Sequence, residues 1–204
     1  MNTEAFLSQV RNTAEKLTSQ PEREAIIIFH DDADGICSGA CLKWALERKG
    51  FKVKLLCLER FLPEVAVKVH SENNLVLYAD IGGAHADKIS KLNKGLTIIL
   101  DHHNPAESKD PNVIQVNPEL HGLKGEEDAS GATVSYLFAR ELTREAEELS
   151  YLAVIGSCEI PSGFKGLNKQ VLDDSIKRGV INLSLIHISE PTRPRLISYA
   201  VFCL

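Results

Sequence analysis

The sequence predicts an α/β fold: a doubly wound, mainly parallel sheet flanked by helices. Three observations predict it. Short apolar runs at 25–29, 75–79 and 97–100 carry no polar alternation, as expected of strands buried on both faces of a parallel sheet. Segments with apolar spacings of three and four separate them, and strand, helix, strand repeated in this way builds right-handed crossovers. Each of the three runs also ends abruptly in acids or histidines, which a parallel sheet gathers at one edge.

Taken in order, residues 4–18 place Phe6, Val10, Ala14 and Leu17 on one face of a helix that ends before Pro21, and 1–22 is read as an N-terminal docking helix. The strand at 25–29 leads to a helix at 36–48, a weaker strand at 52–58 and a helix at 64–70. The strand at 75–79 leads to a helix at 86–92, and strands at 97–100 and 113–116 complete the sheet. After Ser130 the pattern turns helical, at 131–142, 145–155 and 168–178. No internal repeat or low-complexity stretch interrupts this order. From Leu183 the text changes character: LSLIHISEPTRPRLISYAVFCL has no period that fits what precedes it, and Pro191 and Pro194 break it. Its run SLIHISEPTRP resembles the translated read-through of a sequencing adapter, so 183–204 is expected to be a non-native tail and 23–182 a domain incomplete at its C-terminus.

Composition narrows the class. Of 204 residues, 44% are hydrophobic and 25% charged, an ordinary globular balance, and no apolar run approaches the ~18 to 20 residues that span a bilayer. The N-terminus lacks the basic and continuous apolar regions of a signal peptide, which places the chain in the cytoplasm, away from membranes. A net charge of -5 gives no broad electropositive field for nonspecific duplex binding. Five cysteines without a CxxC pair are expected to stay reduced. Cys37 and Cys41 would share a helix face; small buried hydrophobes outweigh a thiol metal pair there.

The chemistry lies at the strand ends. One run feeds His30-Asp31-Asp32-Ala33-Asp34-Gly35, the next Asp80, the third Asp101-His102-His103. Any one of these alone is ordinarily a solvated turn or helix cap. Three at equivalent strand ends should converge, and carboxylates at that density need cations to neutralise them. Mixed carboxylate and imidazole donors suit Mn²⁺, and less selectively Zn²⁺, Fe²⁺ or Mg²⁺. Asp32 and Asp34 could address two ions while Asp80 bridges them, the layout of a two-metal hydrolase with ions roughly 3.5 to 4 Å apart. Ser130-Gly131-Ala132-Thr133 opens a helix whose N–H groups could hold a substrate phosphate, although Ser130 reads equally well as an ordinary N-cap. Gly82 and Gly83 allow a tight turn after Asp80. His70, His85 and His121 are expected at surface or packing positions, and a solvated face outweighs a phosphate patch for Lys43, Arg48, Lys52 and Lys54.

HDDADG followed by Ser38, YADIGG, DHHNP, and the later NPELHG and SGAT resemble the motifs of the DHH phosphoesterase superfamily, particularly its archaeal RecJ-like branch, over 23–160. The resemblance implies His30, Asp32, Asp34 and His102 as metal ligands, Asp80 as the bridging ligand, Asp101 as the residue that orients the histidines, and His103 facing the substrate phosphate. Asp31 falls between motif positions and is read as an outer residue. The implied cofactors are two divalent ions, Mn²⁺ before Mg²⁺. The implied activity is hydrolysis of single-stranded DNA or RNA, as a 5′ to 3′ exonuclease partnered by replication or repair proteins. Two departures qualify the match. Glu159 stands near the place of a fourth-motif aspartate, one position out of register, and the second, substrate-gripping C-terminal domain of such enzymes is missing. Competing readings are a short-oligonucleotide or cyclic-dinucleotide phosphodiesterase and a noncatalytic Cdc45-like replication scaffold. A pyrophosphatase is disfavoured, because His30 stands too close to Asp32.

Overall fold

A computed structural model describes residues 2–182; the expected tail, with His187 and Cys203, lies outside the described residues. Five strands, β1 (Glu24–His30), β2 (Lys52–Leu58), β3 (Leu75–Ala79), β4 (Leu96–Leu100) and β5 (Val113–Val116), form one sheet in the order β2-β1-β3-β4-β5. Every pairing is parallel. The chain runs from β1 out to β2 and then returns to the other side of β1 to lay down β3. The strand order therefore reverses between β1 and β3, which is where open α/β sheets place their ligand crevice.

The missing polar alternation has its cause in two cores. Ile27, Leu75, Leu77, Ala79, Ile98 and Leu100 pack into a large core on one face. Ile26, Ile28, Val76, Tyr78 and Ile99 pack into a smaller one on the other. Helices α1 (Asn2–Thr18), α2 (Ala33–Arg48), α6 (Gly131–Leu142), α7 (Ser150–Ser157) and α8 (Gly166–Lys177) contribute to the large core, and α3 (Pro63–Glu72) and α4 (Ala86–Leu92) cover the small one. A four-residue helix, α5 (Gly125–Asp128), precedes α6. The expected face of α1 is the buried one, with Phe6, Val10 and Leu17 fully inside. None of the described helices is long and apolar enough to cross a membrane.

Two boundaries depart from expectation for local reasons. Helix α2 begins at Ala33, three residues before 36, because Asp32 accepts a bond from the Gly35 amide (2.8 Å) and so acts as N-cap. The single helix expected at 145–155 divides into a 3-10 turn, Arg144–Leu149, and α7. In that turn the buried Ala146 and Leu149 are three apart, and the tighter winding of a 3-10 helix stacks positions i and i+3 on one side.

Register positions the site. Phe29 is level with Ala79, Ala79 with Leu100, and Leu100 with Val116. The next residue along each chain, His30 at the end of β1 and Asp80, Asp101 and Asn117 just past β3, β4 and β5, thus stands at one height on this edge of the sheet.

Candidate metal centre

Asp80 sits at the middle of this line. It is 2% exposed and left-handed, with φ of 60°, a conformation that Asp tolerates better than most residues. Its amide still donates to the Leu100 carbonyl (2.8 Å), so the chain turns away from β3 immediately after its last ladder bond. The two carboxylate oxygens face opposite neighbours. Oδ2 lies 3.9 Å from His30 Nδ1, and Oδ1 lies 3.3 Å from His102 Nε2.

Main-chain carbonyls select the nitrogen that each histidine presents. His30 Nε2 donates to Glu59 O (2.9 Å), which leaves a lone pair on Nδ1. That Nδ1 is buried without a hydrogen-bond partner and faces Asp32 Oδ2 at 2.6 Å. His102 Nδ1 donates to Gly125 O (3.0 Å), which leaves its Nε2 turned to Asp80 and, at 3.6 Å, to Asp34 Oδ2. Carbonyls commonly fix metal-binding imidazoles in this way.

The donor set fits a divalent cation. His30 Nδ1 and Asp80 Oδ1 are buried and unpartnered, and lone-pair atoms crowded within hydrogen-bond distance need a proton or cation between them. Ligand atoms of His30, Asp32 and Asp80 lie within 4.8 Å of one another, as do those of Asp80, His102 and His103. Asp80 belongs to both groups. Burial drives the Asp34 carboxyl up, and burial with the nearby Asp34 charge pushes Asp80 up to about 8. Burial acts to lower His102, but Asp80 and Asp34 outweigh it and raise it to about 10. For His30, burial is likewise outweighed, here by Asp32.

Asp101 is engaged by the chain around it. Its Oδ2 accepts from Gly83 N (2.7 Å), and its Oδ1 from His102 N (2.8 Å), His103 N (3.2 Å) and His103 Nδ1 (2.7 Å). Burial works to raise its pKa, but the His103 hydrogen bond and charge outweigh it and hold the carboxyl below its usual range. A side chain on Gly83 would press on this carboxylate, which accounts for a glycine there. His103, half exposed at its side chain, is anchored through Nδ1 and keeps Nε2 as its outward nitrogen. Asp31 is exposed at the rim, 3.8 Å from His30.

One expectation needs correction. Ser130 and Gly131 have no amide left for a substrate phosphate. Gly131 N and Ala132 N donate to the Asp34 carboxylate at 2.8 and 2.6 Å, and Thr133 N donates to Ser130 Oγ (3.1 Å). The first turn of α6 is thus satisfied within the protein, and Ser130, fully buried, is an N-cap. Lys43, Arg48 and Lys52 behave as the expected solvated face, pairing with Glu47, Glu145 and Glu24. Cys37 and Cys41 are buried, and burial pushes Cys37 up to about 12, far from thiolate chemistry. His70 is buried against Tyr78 (3.1 Å), His85 stacks on Phe61, and His121 bonds Gln9 (2.7 Å). Sequence reasoning missed the Glu59 and Gly125 carbonyls, which have no residue-type signature. Glu159 does reach the motif, where its Oε1 accepts from Ala33 N (3.1 Å).

Comparison with known proteins agrees with this fold. A structure of exonuclease RecJ bound to manganese superposes with a TM-score of 0.71 at 22% identity, covering 94% of this chain and 55% of that one. RecJ from Thermus thermophilus in complex with Mn²⁺ gives 0.67 at 23% identity, covering 85% and 27%. CDC45 from Entamoeba histolytica gives 0.59 at 15% identity, covering 92% and 40%. These likenesses show a shared fold. An uncharacterised protein of Methanocaldococcus jannaschii is 32% identical over 157 residues, 73% of this chain. The chain spans 36% of that relative's length. The family model for the DHH family, N-terminal domain, matches residues 24–156, a span that contains His30, Asp32, Asp34, Asp80, His102 and His103. The chain belongs to the DHH family.

Proposed function

We propose that this chain is the metal-binding part of a cytoplasmic phosphodiesterase of the archaeal RecJ-like branch, which hydrolyses single-stranded nucleic acid from the 5′ end with two divalent ions, Mn²⁺ in preference to Mg²⁺. The observation that carries the reading is the buried Asp80 carboxylate, turned to a different imidazole on each side. His30, Asp32 and Asp80 would hold one ion, and Asp80, His102 and Asp34 the other. Divalent ions held there would activate water and neutralise charge on a phosphoryl centre. Asp101 orients His103 through Nδ1, so that Nε2 can donate to a phosphate oxygen as its charge grows. RecJ structures that contain manganese support the metal. Retention of the donors of the first three motifs favours a hydrolase over the noncatalytic scaffold suggested by the CDC45 likeness.

Calorimetry with Mn²⁺ and hydrolysis of 5′-labelled single-stranded DNA test it, on the 204-residue chain and on the longest natural form of the protein. Asp80→Asn should abolish metal binding and hydrolysis together. His103→Ala should leave Mn²⁺ affinity nearly unchanged while lowering the rate on the order of 10² to 10³-fold. Undiminished Mn²⁺ binding by Asp80→Asn would overturn the metal assignment, and progressive shortening of strands that keep the 5′ label would overturn the polarity.

A further inference from the structure

Glu159 follows α7 by two residues, yet it acts on the start of α2. The first N–H groups of a helix have no partner inside it. In α2 three of these fall on Ala33, Asp34 and Gly35, within the segment that carries the motif carboxylates. Gly35 N donates to the N-cap Asp32 (2.8 Å). Ala33 N donates to Glu159 Oε1 (3.1 Å), and the Asp34 amide, next in the chain, faces the same carboxylate. The start of α6 repeats the arrangement, because the Asp34 side chain itself takes the Gly131 and Ala132 amides. One carboxylate from the end of α7 therefore fixes the start of α2, and one from the start of α2 fixes the start of α6.

We propose that Glu159 is a positioning residue for the metal centre and not one of its ligands. By tying the amides of Ala33 and Asp34 it sets how far the Asp32 and Asp34 carboxylates diverge. Asp32 then turns to His30 (2.6 Å) and Asp34 to His102 (3.6 Å). Asp34 also takes main-chain amides, but its Oδ2 faces the inward nitrogen of His102 at 3.6 Å, whereas among the described residues Glu159 lies beside no histidine of the site and bonds the main chain of α2 instead. The proposal rests on the metal reading above and adds the role of this one acid.

The two roles predict different orders among variants. Gln keeps a carbonyl oxygen that can take both amides, but it is a much poorer metal ligand than a carboxylate. A positioning role predicts that Glu159→Gln holds Mn²⁺ within about twofold of the unsubstituted chain, while Glu159→Ala weakens it about 10 to 100-fold, as loss of an outer support does. A ligand role predicts that both variants weaken it alike. Calorimetry on the 204-residue chain measures affinity, and hydrogen exchange at the Ala33 and Asp34 amides supplies a metal-free readout. Protection there should persist in Glu159→Gln and fall in Glu159→Ala. Should Glu159→Ala fail to fold, Glu159→Gln decides alone: unchanged affinity with protected amides supports the proposal, and weakened affinity overturns it. If the unsubstituted chain binds no Mn²⁺, the metal reading fails and this role fails with it. If it binds and the two variants weaken binding alike, only the positioning role is overturned.

Discussion

Asp80, Asp34, His30 and His102 all hold protons to higher pH than they would in water. A metal ion must displace those protons, because a carboxylate ligand is ionised and an imidazole ligand neutral. Mn²⁺ affinity should therefore rise with pH from 6 to 8, by about tenfold per pH unit for each proton displaced. Calorimetry at three pH values, each in buffers of different ionisation enthalpy, counts the protons, and a pH-independent affinity would contradict the assignment. The charged residues of the site were legible in the sequence because each stands where an apolar strand stops. Their supports were less so. The Glu59 and Gly125 carbonyls belong to the main chain, and any residue type supplies one. The partner of the α6 amides, Asp34, lies 97 positions away from Gly131, so the SGAT segment looked open to a phosphate when tertiary structure had already filled it.

At the level of elements, the apolar runs specified the three inner strands β1, β3 and β4 strongly, because both faces of the inner sheet are covered, whereas the edge strands β2 and β5 read as weaker runs. Edge strand β2 read weakly for a physical reason: much of it is exposed, Leu55 to 44%. Helix α1 was legible from four residues on one face. Phe6, Val10 and Leu17 join the large core with α6 and the inner strands, and burial of such side chains contributes about 1.5 to 3 kcal/mol each. Leu17→Ala should cost about 2 to 5 kcal/mol, read as a lowered urea midpoint with an unchanged slope. A loss below about 1 kcal/mol would show that α1 is an appendage and not part of the core. The break between Arg144–Leu149 and α7 escaped the sequence, since apolar spacings of three fit an α-helix and a 3-10 turn alike.

For the whole molecule, the raised carboxyls link metal to stability. The sign follows from the shifts. A carboxyl whose folded pKa is raised contributes stability that is present in full below its unfolded pKa, near 4. That contribution is lost as the pH climbs through the folded value, about 8 for Asp80. Above it the metal-free fold carries two buried carboxylates, Asp80 and Asp34, offset at that spot by the single His102 imidazolium, and Mn²⁺ neutralises the excess. At a free concentration a hundredfold above its dissociation constant, Mn²⁺ should stabilise the fold by about 2.7 kcal/mol, and at one fixed concentration it should raise Tm more at pH 8 than at pH 6. Equal shifts at both values would break the link between the buried carboxyls and the ion. The common register of the sheet has a further consequence. Side chains alternate between faces along a strand, so a slip of β3 by one residue would exchange Leu77 and Tyr78 between the two cores and carry Asp80 off the line shared by His30 and Asp101. Folding fidelity and metal capture are thus set by a single alignment, and tight Mn²⁺ binding doubles as proof that the strands have paired correctly.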